Sequence, residues 1–211
     1  MCVTIPKLLF DPALARQVKI DALVPYQHLT GPRFKIAYDF RQQVMRKHPH
    51  LCEFHSRAEH LHAGLLEGDP HVTSYIPQLF QLRIGKRVYT PDCYVASDNA
   101  PHRVLELKPR AEMDEALQIP LTAFFAQHGM RFEVISNESV FEREIEAQNW
   151  LEIVRILYLA REFEDPQAES DVLAILHEKG PCTLGDIIDP GDRERTFFQE
   201  MALYRLLHRG H

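Results

Sequence analysis

A chain of 211 residues with 45% hydrophobic and 26% charged side chains has the length and composition to bury a full core, which excludes a disordered tail and a mini-protein that needs staples. No apolar run approaches the ~18 to 20 residues of a bilayer span and Met1 to Lys19 lacks the apolar stretch of a signal peptide, so a cytoplasmic protein with no membrane partner is expected. The net charge of -6 excludes coating of nucleic acid through the overall field, yet residues 1–58 hold nine Lys or Arg against four acids, so a basic lead-in precedes an acidic body.

Residues 1–32 carry Pro6, Pro12, Pro25 and Pro32 with little periodicity, which predicts an extended arm. Phe34, Ala37, Tyr38, Arg41, Val44 and Met45 recur at helical spacing and predict one helix from Arg33 to Lys47, stopped before His48-Pro49. Residues 1–50 thus read as a basic arm and helix. A second helix is predicted from Ser56 to Glu67, with Gly68-Asp69-Pro70 as its stop. The period then changes to alternating. Val72 to Ile76, Leu79 to Ile84, Val88 to Val95 and Val104 to Lys108 read as strands of an antiparallel meander, with turns at Gly85-Lys86 and Ser97 to Pro101. Residues 112–128 return to helix, Gly129 ends it, and Arg131 to Ser136 adds a strand that a crossover of this length places parallel to a neighbour.

Glu138 to Phe163 is predicted helical, and Asp165-Pro166 closes a domain over residues 51–165. In it Trp150, Leu151, Ile153, Val154, Ile156, Leu157 and Leu159 are apolar almost all round, the mark of a helix buried between two domains. Ser170 to Lys179, Thr183 to Ile188 and Arg193 to His208 predict three helices, a small winged-helix-like domain over residues 166–211. The expected fold class is α/β: helix, meander, crossover helix and parallel strand, then a helical module.

Two short strings carry the chemistry, Tyr89-Thr90-Pro91-Asp92 and Glu106-Leu107-Lys108-Pro109. In an extended strand Glu106 and Lys108 share one face while Leu105 and Leu107 turn inward. The hairpin between the two strings brings Asp92 beside Glu106. Neighbouring carboxylates repel unless a proton or a cation lies between them, and a hard divalent metal such as magnesium resolves the conflict. Glu59, in Ser56-Arg57-Ala58-Glu59, is placed to complete the acidic cluster. Each piece also has a plain structural reading: Ser56 to Glu59 as a capping box, Asp92 as a turn residue after Pro91, and Glu106 with Lys108 as a surface ion pair. Their order and spacing together favour the site.

These residues resemble the PD-(D/E)xK nuclease superfamily, with Pro91-Asp92 as the PD and Glu106-Leu107-Lys108 as the ExK. Within it, SRAEHLHAGLLEGDPHVTSYIPQ, GKRVYTPDCYV, VLELKP, GMRFEVIS and QNWLEIVRILY resemble the TnsA-like endonuclease subunits of heteromeric transposases over about half the chain. The resemblance implies a restriction-endonuclease-like core in which Glu59, Asp92, Glu106 and the Leu107 carbonyl hold two magnesium ions, with manganese able to substitute, and Lys108 positions the attacking water. It implies DNA cleavage at the 5' ends of a transposon, a DDE-type transposase subunit as partner, and an AAA+ ATPase regulator bound by the C-terminal region. Cys93 departs from the pattern, standing where an aromatic commonly follows the PD. A stand-alone restriction or repair nuclease, and a non-catalytic module bridging transposase and ATPase, are the alternatives.

Other clusters point to less. His48, His50, Cys52, His55, His60 and His62 crowd within fifteen residues, but their spacing matches no closed zinc pattern, and His60 and His62 could instead meet a phosphate. Cys2, Cys52, Cys93 and Cys182 form no C-x-x-C pair and read as free thiols. No glycine-rich phosphate loop is present, so the chain itself is not expected to bind ATP. Residues 151–211 hold seven Lys or Arg against twelve acids, a field in which a DNA-reading helix is out of place, so the C-terminal module is expected to contact protein.

Overall fold

The computed structural model of the protein describes residues 11–23, 27–28, 30–32 and 39–211. Asp11 caps a short helix α1 (Pro12–Ala15), and strand β1 (Val18–Leu23) follows. Next come β2 (Arg41–Val44), β3 (Leu51–Phe54), helix α2 (Arg57–Gly68), β4 (Val72–Pro77), β5 (Phe80–Ile84), β6 (Arg87–Tyr89), β7 (Cys93–Ser97) and β8 (Arg103–Lys108). After a 3-10 turn at Pro109–Ala111, α3 (Glu115–Gln127), β9 (Arg131–Ser136), α4 (Asn137–Glu142), α5 (Glu144–Leu159), α6 (Pro166–Lys179) and α7 (Phe197–His208) complete the chain. The fold is mixed α/β, with antiparallel and mixed sheets.

The central sheet has the order β4-β7-β8-β9. Strand β8 runs antiparallel to β7 and parallel to β9, as α3 allows by crossing between them. Leu105, Leu107 and Val95 face a core shared with Leu61 and Leu66 of α2 and Leu151 and Val154 of α5. Val104 and Phe132 face the other way, into a core with Leu121, Phe124 and Phe125 of α3 and Phe80 and Leu82 of β5. The alternation of β8 therefore sends Glu106 and Lys108 to the α3 side and both leucines to the α2 side. Val172, Ile187, Ile188 and Leu203 close a third core between α6 and α7.

Three predictions of sequence give way. Within the helix expected from Arg33 to Lys47, positions 33–38 lie outside the described residues, but Arg41–Val44 is a strand paired with β3 across the His48-Pro49 turn. Burial of Met45 in the α2 core and the reach of Gln43 to the Leu151 carbonyl at 2.9 Å outweigh helical propensity there. The meander is also replaced: β5 and β6 leave the central sheet and form a second one with β1 in the order β1-β5-β6. Pro91 lacks an N–H and splits the strand expected from Val88 to Val95, so β6 and β7 lie in different sheets. Strand β1 falls within the expected arm, although Val18 and Ile20 alternate with Lys19 and Asp21.

The C-terminal helices differ in detail. Asp165 caps α6 from the first turn, the segment from Thr183 to Ile188 is one 3-10 turn at Leu184–Asp186, and the last helix begins at Phe197. Helix α5 buries Leu151, Val154 and Leu157 but leaves Ile145 and Leu159 exposed, so it is not enclosed all round.

Candidate active site

The N-terminus of α2, the loop before β7 and the C-terminal half of β8 meet at one end of the central sheet. Ser56 caps α2 by accepting the Glu59 N–H, and its hydroxyl donates to Glu59 Oε1 at 2.8 Å. Glu59 Oε2 takes the His55 N–H at 3.1 Å, one residue before the capping-box position. The cap thus holds the carboxylate still without turning it to solvent.

Pairing of β7 with β8 ends at Cys93 and Leu105. Just beyond, Asp92 Oδ2 accepts the Leu107 N–H at 2.7 Å. Because the N–H and C=O of one strand residue point to the same side, the Leu107 carbonyl is also directed to the Asp92 edge, where β7 no longer covers it. Glu106 is only 2% exposed, and both its oxygens are engaged: Tyr89 Oη donates to Oε2 at 2.5 Å, and Lys108 Nζ lies 2.6 Å from Oε1. Tyr89 comes from β6, so the second sheet covers the acid.

The electrostatics join these groups into one cluster. Burial, then the Glu106 and Glu59 carboxylates, hold Asp92 well above the usual carboxylate range, against the Leu107 N–H and Lys108. Burial also raises Glu59, opposed by its bonds to His55 and Ser56 and reinforced by Glu106. Burial pulls the Lys108 ammonium down, but Glu106, Asp92 and Glu59 more than offset it and keep the group charged. Burial and Glu106 push the Tyr89 phenol up, so it stays a donor. Lys108 thus touches Glu106 and Asp92 touches the Leu107 N–H, while Glu59, bonded to His55 and Ser56, is joined to Asp92 and Glu106 through their charges. The motif alone gives Tyr89 no part; its only sequence signal is a buried-type aromatic three positions before Asp92.

A hard divalent cation takes oxygen donors, and this cluster supplies them. Three carboxylates, with Asp92 and Glu59 raised by burial and by the neighbouring Glu106, and a backbone carbonyl at the strand edge have the chemistry such an ion requires. Their spacing is more open: among the described residues no group of three His, Cys, Asp or Glu side chains closes tightly enough to hold a metal. The Lys108 ammonium takes the cationic position beside Glu106 instead.

The histidines are dispersed among separate partners. His48 Nδ1 donates to the Tyr75 carbonyl at 3.0 Å, His55 bonds Thr30 and Gln78, and His60 bonds Gln43. His62 is buried on α2, and burial with Arg103 and Arg143 drives its pKa down to about 4. Cys52 and Cys93 are buried free thiols, both raised by burial. Comparison of the chain with protein-family models and with the curated proteins finds no match to either.

Proposed function

We propose that the protein is a magnesium-dependent DNA endonuclease subunit of a transposase, built on a restriction-endonuclease-like core. The observation that carries this reading is the convergence of Asp92, Glu106 and Glu59 with Lys108, from three separate elements, on one strand edge. A divalent ion bound there would polarise a scissile phosphate and lower the pKa of its water. Asp92, Glu106, Glu59 and the Leu107 carbonyl are the groups that would hold it. With such an ion on Glu106, Lys108 would be the group to orient the water or meet developing charge on the phosphate. Tyr89, through its bond to Glu106, would hold that carboxylate in position. The resemblance to TnsA-like subunits supplies the context: transposon 5' ends as substrate, a DDE-type transposase as partner, and an AAA+ ATPase regulator at the C-terminal helices. Exposed Leu173, Leu184 and Phe198 there, on an acidic module, support a protein partner rather than DNA.

A bridging role without catalysis is the second reading, favoured by the full engagement of Glu106 by Tyr89 and Lys108. Asp92→Ala separates the two in a reconstituted transposition assay with magnesium or manganese. The nuclease reading expects loss of 5'-end cleavage by a factor of about 10² or more with assembly intact. Full transposition by the variant would leave only the bridging role, and efficient nicking of unrelated DNA by the protein alone would exclude an obligate subunit.

A further inference from the structure

A cavity of about 370 Å³ opens where the C-terminal helices meet the rest of the chain, within the roughly 300–1,000 Å³ of small-ligand sites. Its walls are crowded with guanidinium groups. Arg46 comes from the β2–β3 turn, Arg161 from just past the end of α5, and Arg205 and Arg209 from the C-terminal end of α7. Residues 151–211 hold seven Lys or Arg against twelve acids, yet three of the seven gather here. A basic last turn alone is the ordinary complement to the α7 dipole, but Arg46 and Arg161 belong to other elements. The charge is not balanced within the cavity. Glu169 pairs with Arg209 at 2.5 Å, His208 pairs with Glu67 at 2.6 Å, and Asp165 accepts the Gln167 and Ala168 N–H groups of α6. Arg205 donates from Nη2 to the Ala160 and Phe163 carbonyls, which are neutral, so its charge stands and its Nε and Nη1 protons are kept for a ligand. Arg161 meets only Glu162, a pair between side chains 52% and 78% exposed that solvent screens. The Arg46 side chain forms no ion pair with a described residue. Three cations therefore face one remaining acid, Glu164, an excess of two positive charges.

We propose that this cavity binds a phosphate dianion, inorganic phosphate or the phosphate monoester of a small molecule, on Arg46, Arg161 and Arg205. Planar guanidinium groups meet phosphate oxygens with paired N–H donors, and a dianion matches the excess charge, whereas each phosphodiester of nucleic acid carries a single charge. His208, in the cavity wall, bonds Glu67 at the far end of α2 from Glu59, so the ligand is distinct from the substrate of the proposed nuclease. The three contacts come from the β2–β3 turn, the end of α5 and α7, so the bound phosphate fastens the C-terminal helices to the core.

The test titrates inorganic phosphate into the full-length protein by calorimetry, in EDTA at constant ionic strength and about pH 8, where phosphate is a dianion. One saturable site is expected, weakened about 10- to 100-fold by Arg46→Ala combined with Arg161→Ala. Both side chains are exposed, and Glu67 takes the backbone N–H of Arg46, so the thermal midpoint without phosphate should hold. Arg155→Ala, on α5 with its guanidinium on Glu152, should leave the affinity unchanged. Saturating phosphate should also slow protease cleavage around residues 160–166 in the wild type and not in the double variant. No saturation below about 10 mM, or an unchanged affinity in the folded double variant, overturns the site. An unchanged cleavage rate overturns the fastening. If a short unphosphorylated DNA duplex abolishes phosphate binding, the cavity belongs to a nucleic-acid backbone and the small dianion is overturned.

Discussion

Asp92 and Glu59 are placed at a cost to the fold. Burial and the Glu106 carboxylate raise both, so the folded chain binds their protons more tightly than the unfolded chain. Their contribution to stability is therefore greatest below the ordinary carboxylate pKa and is lost as pH rises through the elevated range. His60 and His62 act in the opposite sense. Burial, with Arg41 for one and Arg103 and Arg143 for the other, lowers each to about 4, so the stability they lend persists above pH 6.5 and is lost as pH falls from 6.5 towards 4. The two trends overlap in a single melting curve, but a difference between variants isolates the carboxylates, because the histidines are common to both. Asp92→Asn keeps an oxygen for the Leu107 N–H and removes the charge. In EDTA at pH 8 it should be more stable than the wild type by roughly 1–2 kcal/mol in denaturant unfolding, with a smaller gain at pH 5. A variant that is less stable at both pH values would mean that Asp92 serves the fold rather than a ligand.

Helix α2 carries the site at its first turn, and its orientation is set by how closely it approaches α5. A Cβ on Gly64 would lie 2.5 Å from the Ala147 carbonyl oxygen and 2.8 Å from Leu151 Cγ, so the two backbones meet where only glycine fits. Gly64→Ala gains up to about 1 kcal/mol of helix propensity but pays about 1–3 kcal/mol in overpacking. We expect a net loss in chemical denaturation, and a loss of the proposed cleavage at temperatures where the variant is still folded, because a shifted α2 carries Glu59 away from Asp92. Unchanged stability and activity would show that the interface can yield. Gly64 stands in the helix that the sequence predicts, but nothing local tells what it faces. Ser56, the Gly68-Asp69-Pro70 stop, the E-x-K strand and its parallel neighbour were legible because local rules of capping, breaking and alternation govern them. Strands β1 and β2 were not legible. Four or six residues alternate weakly there, and their partners, β5 and β3, lie far along the chain or across a proline turn. The pairing that brings Tyr89 over Glu106 follows from that same long-range choice, so the cluster could be named from the motif while its cover could not.

The C-terminal helices are fastened to the rest of the molecule through one buried acid. Glu67, fully buried at the end of α2, accepts the N–H groups of Arg46 and Lys47 at 3.0 Å each and the Tyr75 hydroxyl at 3.1 Å. Its remaining oxygen lies 2.6 Å from His208 Nε2, on α7. Arg205, one turn earlier, donates to the carbonyls of Ala160 and Phe163 at the end of α5. The helix that offers Glu59 to the site at one end thus holds the C-terminal module at the other. Removing the imidazole leaves a buried carboxylate oxygen without its partner, a loss of about 1–3 kcal/mol. His208→Ala should therefore lower the unfolding midpoint and open the link around residues 160–166 to limited proteolysis, while Glu106 and Lys108 keep their contact on the other side of the sheet. His208→Gln, which retains a side-chain N–H donor, should recover much of the loss. If His208→Ala resists protease as well as the wild type, the third core between α6 and α7 holds the module without this bond, and the coupling of α2 to it is by packing alone.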